Sequence, residues 1–143
     1  MINQTFTKFC KDKTPQCANW LKTFEECVQA RDYDRGKALF QNELLCYGTV
    51  VNEAHTLENL VASQWFKVWE ATEGFRFHLD DTHILGDDDS PVVVITSLWE
   101  SNSIGEIKQL REGRCTITLV KGEVFTSIHT HFSIKPDGGV VKE

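Results

Sequence analysis

Several features are scarce in this chain of 143 residues, and each scarcity removes a class of protein. Its 15 Lys and Arg are outnumbered by 21 Asp and Glu, leaving a formal net charge of −6. No broad basic surface is available to neutralise phosphates or anionic lipid, so neither nucleic acid nor a membrane is expected as a partner. No apolar run approaches the ~18–20 residues that a membrane-spanning helix needs. The start, Met1-Ile2-Asn3-Gln4-Thr5, has no basic stretch leading into an apolar one, and a cytoplasmic location is the expectation. Five cysteines (Cys10, Cys17, Cys27, Cys46 and Cys115) are an odd number with no C-x-x-C pair. That spacing argues against a disulfide framework or a zinc ribbon and for buried, reduced thiols. Glycine-rich phosphate loops and Ser-His-Asp or Cys-His nucleophile signatures are absent. Asp87-Asp88-Asp89 lacks the alternating acids, central glycine and closing glutamate of a calcium loop and reads as a solvated turn.

Aromatic residues, by contrast, are plentiful: nine Phe, four Trp and two Tyr. With 41% hydrophobic and 25% charged residues the chain is globular rather than disordered. Its length suits one domain spanning residues 1–143 with a core over about 16–135, both ends being expected to fray. The rings therefore belong to a core, a pocket, or both.

The spacing predicts a helix from Thr14, with Pro15 at its first position and Cys17, Trp20, Leu21, Phe24, Cys27 and Val28 on one side, ending near Arg31. A shorter helix is expected over Tyr33–Phe40, weakened by Gly36. A third follows Thr56, its stripe formed by Leu57, Leu60, Val61, Trp65, Val68 and Trp69, with Gly74 just beyond its end. From Gly74 the period changes to two: Phe75, Phe77 and Leu79 oppose Arg76, His78 and Asp80. Val92–Trp99 reads as a strand buried on both faces, and Arg114–Val120 and Val124–Ile134 as two more. A short strand at Leu44–Tyr47 would add an edge. Helices first and long antiparallel strands after them make an α+β layout, in which a curved sheet covered by three helices encloses a cone. The mouth of such a cone is a common small-molecule pocket.

Three pieces of this order resemble the SnoaL-like branch of the nuclear transport factor 2-like superfamily, over about residues 16–135. One is the helix of Trp20 and Phe24 followed by Arg31-Asp32-Tyr33-Asp34. Another runs from Leu39-Phe40 through Cys46-Tyr47-Gly48-Thr49 into the helix of Trp65 and Trp69. The third is the closing hairpin, Gly113-Arg114-Cys115-Thr116 and then Ile128-His129-Thr130-His131-Phe132-Ser133. It is similar to a terminal apolar-His-x-His-x-Ser strand that also occurs in the association domain of calcium/calmodulin-dependent kinase II. The resemblance implies a cystatin-like, ketosteroid isomerase-like cone of α+β architecture, a pocket between sheet and helices, and a homodimer formed through the outer sheet face. It does not imply one activity, since the superfamily holds isomerases, cyclases, dehydratases, binding proteins and oligomerisation domains.

The residues offer candidates for a ligand site. His129 and His131, two apart on a strand, share a face and could meet one ligand. They make an incomplete metal site: His78, His83 and Cys115 could supply a third ligand, but none stands at a diagnostic spacing, so no metal or cofactor is expected. Arg114, and second to it Arg76, would hold an anion if turned into the cone. Trp20, Trp65, Trp69 and Trp99 fall on the elements that would enclose it, and Tyr33 and Tyr47 are the phenols a dehydratase-like site would pair with a histidine. An isomerase-like base is missing where the resemblance would put it: Leu44-Leu45-Cys46-Tyr47-Gly48 contains no acid. The expectation is a small-molecule-binding domain, an anion among its candidate ligands. An isomerase, cyclase or dehydratase is the alternative, and an oligomerisation module the second.

Overall fold

The computed structural model describes residues 5–49, 53–104 and 109–135. Seven strands form one sheet in the order β1-β4-β5-β6-β7-β2-β3, where β1 is Thr7–Lys8, β2 Phe40–Tyr47, β3 Ala54–Thr56, β4 Thr72–Leu85, β5 Val92–Ser103, β6 Gln109–Lys121 and β7 Phe125–Ile134. Helix α1 (Pro15–Ala30) and the single turn and a half of α2 (Tyr33–Lys37) precede β2. Between β3 and β4, α3 (Leu57–Leu60) passes through a π turn (Val61–Trp65) into α4 (Phe66–Val68). This is the α+β architecture read from the sequence, with the helices on one face of a curved sheet.

Helix α1 buries the stripe Cys17, Trp20, Leu21, Phe24, Cys27 and Val28, as its three- and four-residue spacing demands. Its start differs from the expectation. Thr14 donates its hydroxyl to Cys10 O, while the free amides of Gln16 and Cys17 are taken by the carboxylate of Asp88, at 2.8 and 3.1 Å. The Asp87-Asp88-Asp89 turn is thus a cap delivered from the β4–β5 connection, where a negative charge suits the helix N-terminus. The helix stops at Arg31 in the left-handed region (φ 53°), an uncommon conformation for a non-glycine residue. The Arg31 side chain holds it there, donating to Trp69 O and Thr72 O and so tying the end of α1 to the α4–β4 junction.

Other expectations also need correction. Residues Ala38 to Phe40 leave the helix early, and Phe40 opens β2, which is longer than the strand foreseen and lies inside the sheet, parallel to β7 and antiparallel to β3. Ahead of α1, Thr7 and Lys8 pair with β4 and Phe9 is buried, while residues 1–4 of the expected frayed start lie outside the described residues. The other expected frayed end, after residue 135, lies outside the described residues. Val92–Trp99 is buried on one face only. Val93, Ile95, Ser97 and Trp99 point inward, whereas Val94, Thr96, Leu98 and Glu100 keep partial exposure.

Two irregularities decide which side chains face the helices. In β4, the six residues from His78 to His83 oppose only three on β5, from Leu98 to Thr96, so the inward set Phe75 and Phe77 continues at Thr82 and Ile84, and Leu79 is exposed. In β7 the register slips between Ser127 and His129, so Phe125 and Ser127 face inward and then Thr130. Each slip is stapled by a fully buried hydroxyl. Thr82 donates to His78 O and meets the Ser97 hydroxyl at 2.7 Å, and Ser127 contacts Thr118 O and His129 O at 3.0 and 3.1 Å. A strand that gains one residue exchanges its faces from that point on.

Candidate functional site

Between α1, the π turn and the inner sheet face lies a partly open cavity of about 120 Å³. Seven aromatic rings line it: Phe24, Phe40, Trp65, Trp69, Phe75, Trp99 and Phe132. Trp65 and Trp69, four apart in the chain, stack at 4.4 Å between ring centres and 16° between planes, and Tyr33 continues the stack on the far side of Trp69 at 5.2 Å. Gly36 makes this possible, since a Cβ there would meet the Trp69 ring at 3.0 Å and the Trp65 ring at 3.2 Å. The residue that weakens α2 as a helix is the one its tryptophan neighbours need. Phe24 is the hub, within 5.4–6.3 Å of seven other rings.

Polar groups on the lining are few. Thr49, Thr72, Ser101 and Thr130 contribute hydroxyls, Arg111 the described cation, and Gln64 an amide. Gln64 belongs to the π turn, is 8% exposed, and its Oε1 has no hydrogen-bond partner. An unsatisfied buried amide oxygen costs about 1–3 kcal/mol, and π turns often mark functional positions in helices. Arg111 is half-buried at the start of β6, with Nη2 3.4 Å from Gln109 Oε1. Among the described residues lining the cavity there is no Asp, Glu or His.

The sequence-named residues separate into two groups. Trp65, Trp69 and Trp99 line the cavity; Trp20 stacks behind Phe24 with its indole N–H donated to Leu39 O, and Tyr33 backs Trp69 while donating to Glu70 at 2.5 Å. Burial and this contact with Glu70 raise the Tyr33 phenol to about 12. The expectation that His129, His131, Arg114 and Arg76 face the cone is corrected. The slip in β7 turns Thr130 and Phe132 inward and both histidines outward, where Tyr47 meets their rings at 6.0 and 5.5 Å and His129 Nδ1 lies 2.7 Å from Leu45 O. Arg114 is exposed between inward Gly113 and Cys115. Arg76 reaches Glu100 at 2.6 Å on the outer face, where His78 meets the same oxygen at 2.6 Å. Arg76 first, and His78 with it, hold the Glu100 carboxyl below its ordinary range.

Gln64 and Arg111 were the residues missed, and both had a signal. Gln64 is the one polar position on the stripe Leu57, Leu60, Val61, Trp65, Val68 and Trp69. Arg111 shares its parity with Gly113, Cys115, Ile117 and Leu119, the apolar side of β6. Burial drives the thiols of Cys17, Cys27, Cys46 and Cys115 above the ordinary cysteine range, Cys115 to about 12, so they are poor nucleophiles. Among the described residues no three His, Cys, Asp or Glu side chains gather as a metal ion would need, and no helix is long and apolar enough to cross a membrane.

Comparison with known proteins agrees with this architecture. A candidate dehydratase of the nuclear transport factor 2-like family from Streptomyces avermitilis is similar over 87% of this chain and 97% of its own, with a TM-score of 0.72 and 14% identity. A candidate calcium/calmodulin-dependent protein kinase II association domain from Xanthomonas campestris covers 85% of this chain and 86% of its own, with a TM-score of 0.73 and 14% identity. A protein of unknown function with a cystatin-like fold from Nostoc punctiforme covers 91% and 96%, at a TM-score of 0.71 and 13% identity. At such identities the likeness is one of fold. No match was found among the curated proteins. The SnoaL-like domain family matches residues 18–136, across the helices, the cavity and the closing hairpin, and the chain belongs to that family.

Proposed function

We propose that this domain binds a small, mostly apolar organic molecule in the aromatic cavity, with Arg111 placed to receive an acidic group on it. The observation that carries the reading is a cavity walled by seven rings, with few polar groups, beside a stacked tryptophan pair. Its volume of about 120 Å³ is close to that of the roughly 150 Å³ apolar cavity known to hold benzene, which points to a one-ring ligand. Binding is favoured over an isomerase, cyclase or dehydratase reaction because proton transfer needs a base within hydrogen-bond reach of the ligand. The described lining offers none, and the nearby Glu70 is engaged by Tyr33 and lies 3.6 Å from Arg31.

Thermal shift and calorimetric titration with toluene and benzoate test the reading. Both should stabilise the protein, and Arg111→Ala should weaken benzoate while leaving toluene in place. Arg114→Ala should change neither, because Arg114 lies on the outer face. Failure of both probes, and of a broader set of one-ring compounds, would overturn it. For the outer face we propose pairing with a second copy of the chain. Support comes from the partly exposed Val94 and Leu98 beside Thr96 and Thr116, and from the likeness to a protein named as an association domain. Light scattering should give twice the chain mass, and a monomer at micromolar concentration would reject it.

A further inference from the structure

We infer that the cavity selects a planar ring bearing an uncharged hydrogen-bond donor, an O–H or N–H that Gln64 accepts through its side-chain oxygen. The inference rests on the reading that this cavity binds a small molecule and names the chemistry of what enters.

Three independent observations meet at Gln64. Its amide is over nine-tenths buried, lines the cavity, and its Oε1 has no partner. Such an oxygen has lost water and gained nothing, and a side chain chosen for stability alone would be apolar like Leu60, Val61 and Trp65 around it. The backbone opposite is shaped for the amide. A Cβ on Gly48 would fall 1.6 Å from Gln64 Oε1 and 1.9 Å from Cδ, so only glycine leaves the space the amide occupies. The helix is also locally rewound as a π turn over Val61–Trp65, carrying Gln64 and Trp65 to the lining together.

The surrounding groups fix the rest of the ligand. Stacked Trp65 and Trp69 with Phe24 and Phe132 favour a flat ring. Aromatic walls and a carbonyl oxygen would also suit an ammonium ion. Stripping the water from an ammonium in so apolar a lining costs far more than stripping it from a neutral O–H or N–H, which leaves a neutral donor. A half turn of the terminal torsion exchanges Oε1 and Nε2, so the amide can bring its oxygen to a donor arriving from the cavity without moving the helix.

The test compares phenol and aniline with toluene, of nearly the same shape, and with benzylamine as the cation, by calorimetry and tryptophan fluorescence. In the wild type phenol and aniline should bind about fivefold to tenfold more tightly than toluene, as one net neutral hydrogen bond allows, and benzylamine should bind most weakly. Gln64→Leu should abolish the preference, retain toluene, and raise the melting temperature of the free protein by removing the unsatisfied oxygen. Gly48→Ala, which pushes the amide aside at the flexible end of its side chain, should abolish the preference with the tryptophans unchanged. Toluene binding with no wild-type preference for phenol overturns the inference and leaves the binding reading standing. Failure of every ring to bind removes the binding reading and this one with it. A preference that survives Gln64→Leu, or a Gln64→Leu protein less stable than wild type, assigns the amide to packing and overturns the inference.

Discussion

The two faces of strands β4 to β7 are built from the same stretches of chain and have almost opposite chemistry. The inner face carries Phe75, Phe77, Trp99, Ile117 and Phe132 against the helices. The outer face carries Arg76, His78, His83, Arg114, His129 and His131, with Glu100 between Arg76 and His78. Four of the five histidines in the chain are therefore on the side away from the cavity. The contrast shows that a pair of imidazoles two residues apart says nothing about function until the strand's parity is known. In β4 and β7 that parity is reset midway.

The contrast breaks most sharply at its centre. Phe24→Ala removes the ring around which the inner aromatics pack, and a truncation of this kind costs about 3–5 kcal/mol. The same change at His131, exposed on the outer face, should stay within about 0.5 kcal/mol. Urea unfolding of the two variants measures the difference. Similar losses from both would place His131 inside the proposed contact between two copies rather than beside it.

Much of the frame was legible because amphipathic spacing depends on local sequence alone. The stripe of α1, the tryptophan stripe after Thr56 and the order of the long strands all follow from it. What was not legible depended on distant partners. Nothing near Ser127 or Thr82 in the sequence marks a strand slip; the signal is a hydroxyl at an inward position, and its meaning comes from the carbonyls it reaches across the sheet. The likeness of the closing strand to a family pattern pointed to His129, His131 and Arg114, whereas parity with Cys115 and Ile117 pointed to Arg111.

Asp88 is the clearest case of a long-range role hidden in a local pattern. Three consecutive aspartates read as a solvated turn, yet the middle one caps a helix 71 residues away in the chain. Asp88→Ala should therefore cost about 1 kcal/mol, in the range of lost helix caps, while Asp89→Ala, whose exposed side chain does not cap the helix, should cost little. Chemical denaturation checks the pair, and equal effects would remove the cap from the account. This loss falls between the inner and outer extremes because the cap supports α1 from outside the aromatic cluster.

The smallest expected effect sharpens the outer face. Glu100 has its carboxyl held low, first by the Arg76 hydrogen bond and then by His78, against a partial cost of burial. A carboxyl whose folded pKa is depressed stabilises the fold at pH values above its unfolded pKa, near 4.3, and that contribution fades as pH falls through the lower folded value. Arg76→Ala returns the carboxyl toward its ordinary range, leaving His78 as its partner and removing the charge that also faces Glu25. The variant should be less stable than the wild type near neutrality, and the difference between them should shrink as pH falls below about 4. Acid titration of the folded signal with a parallel NMR titration of Glu100 reads this directly. A variant as stable as the wild type near neutrality would show that the outer-face ion pair is solvated and carries no stability. The division between the two faces would then be one of packing alone.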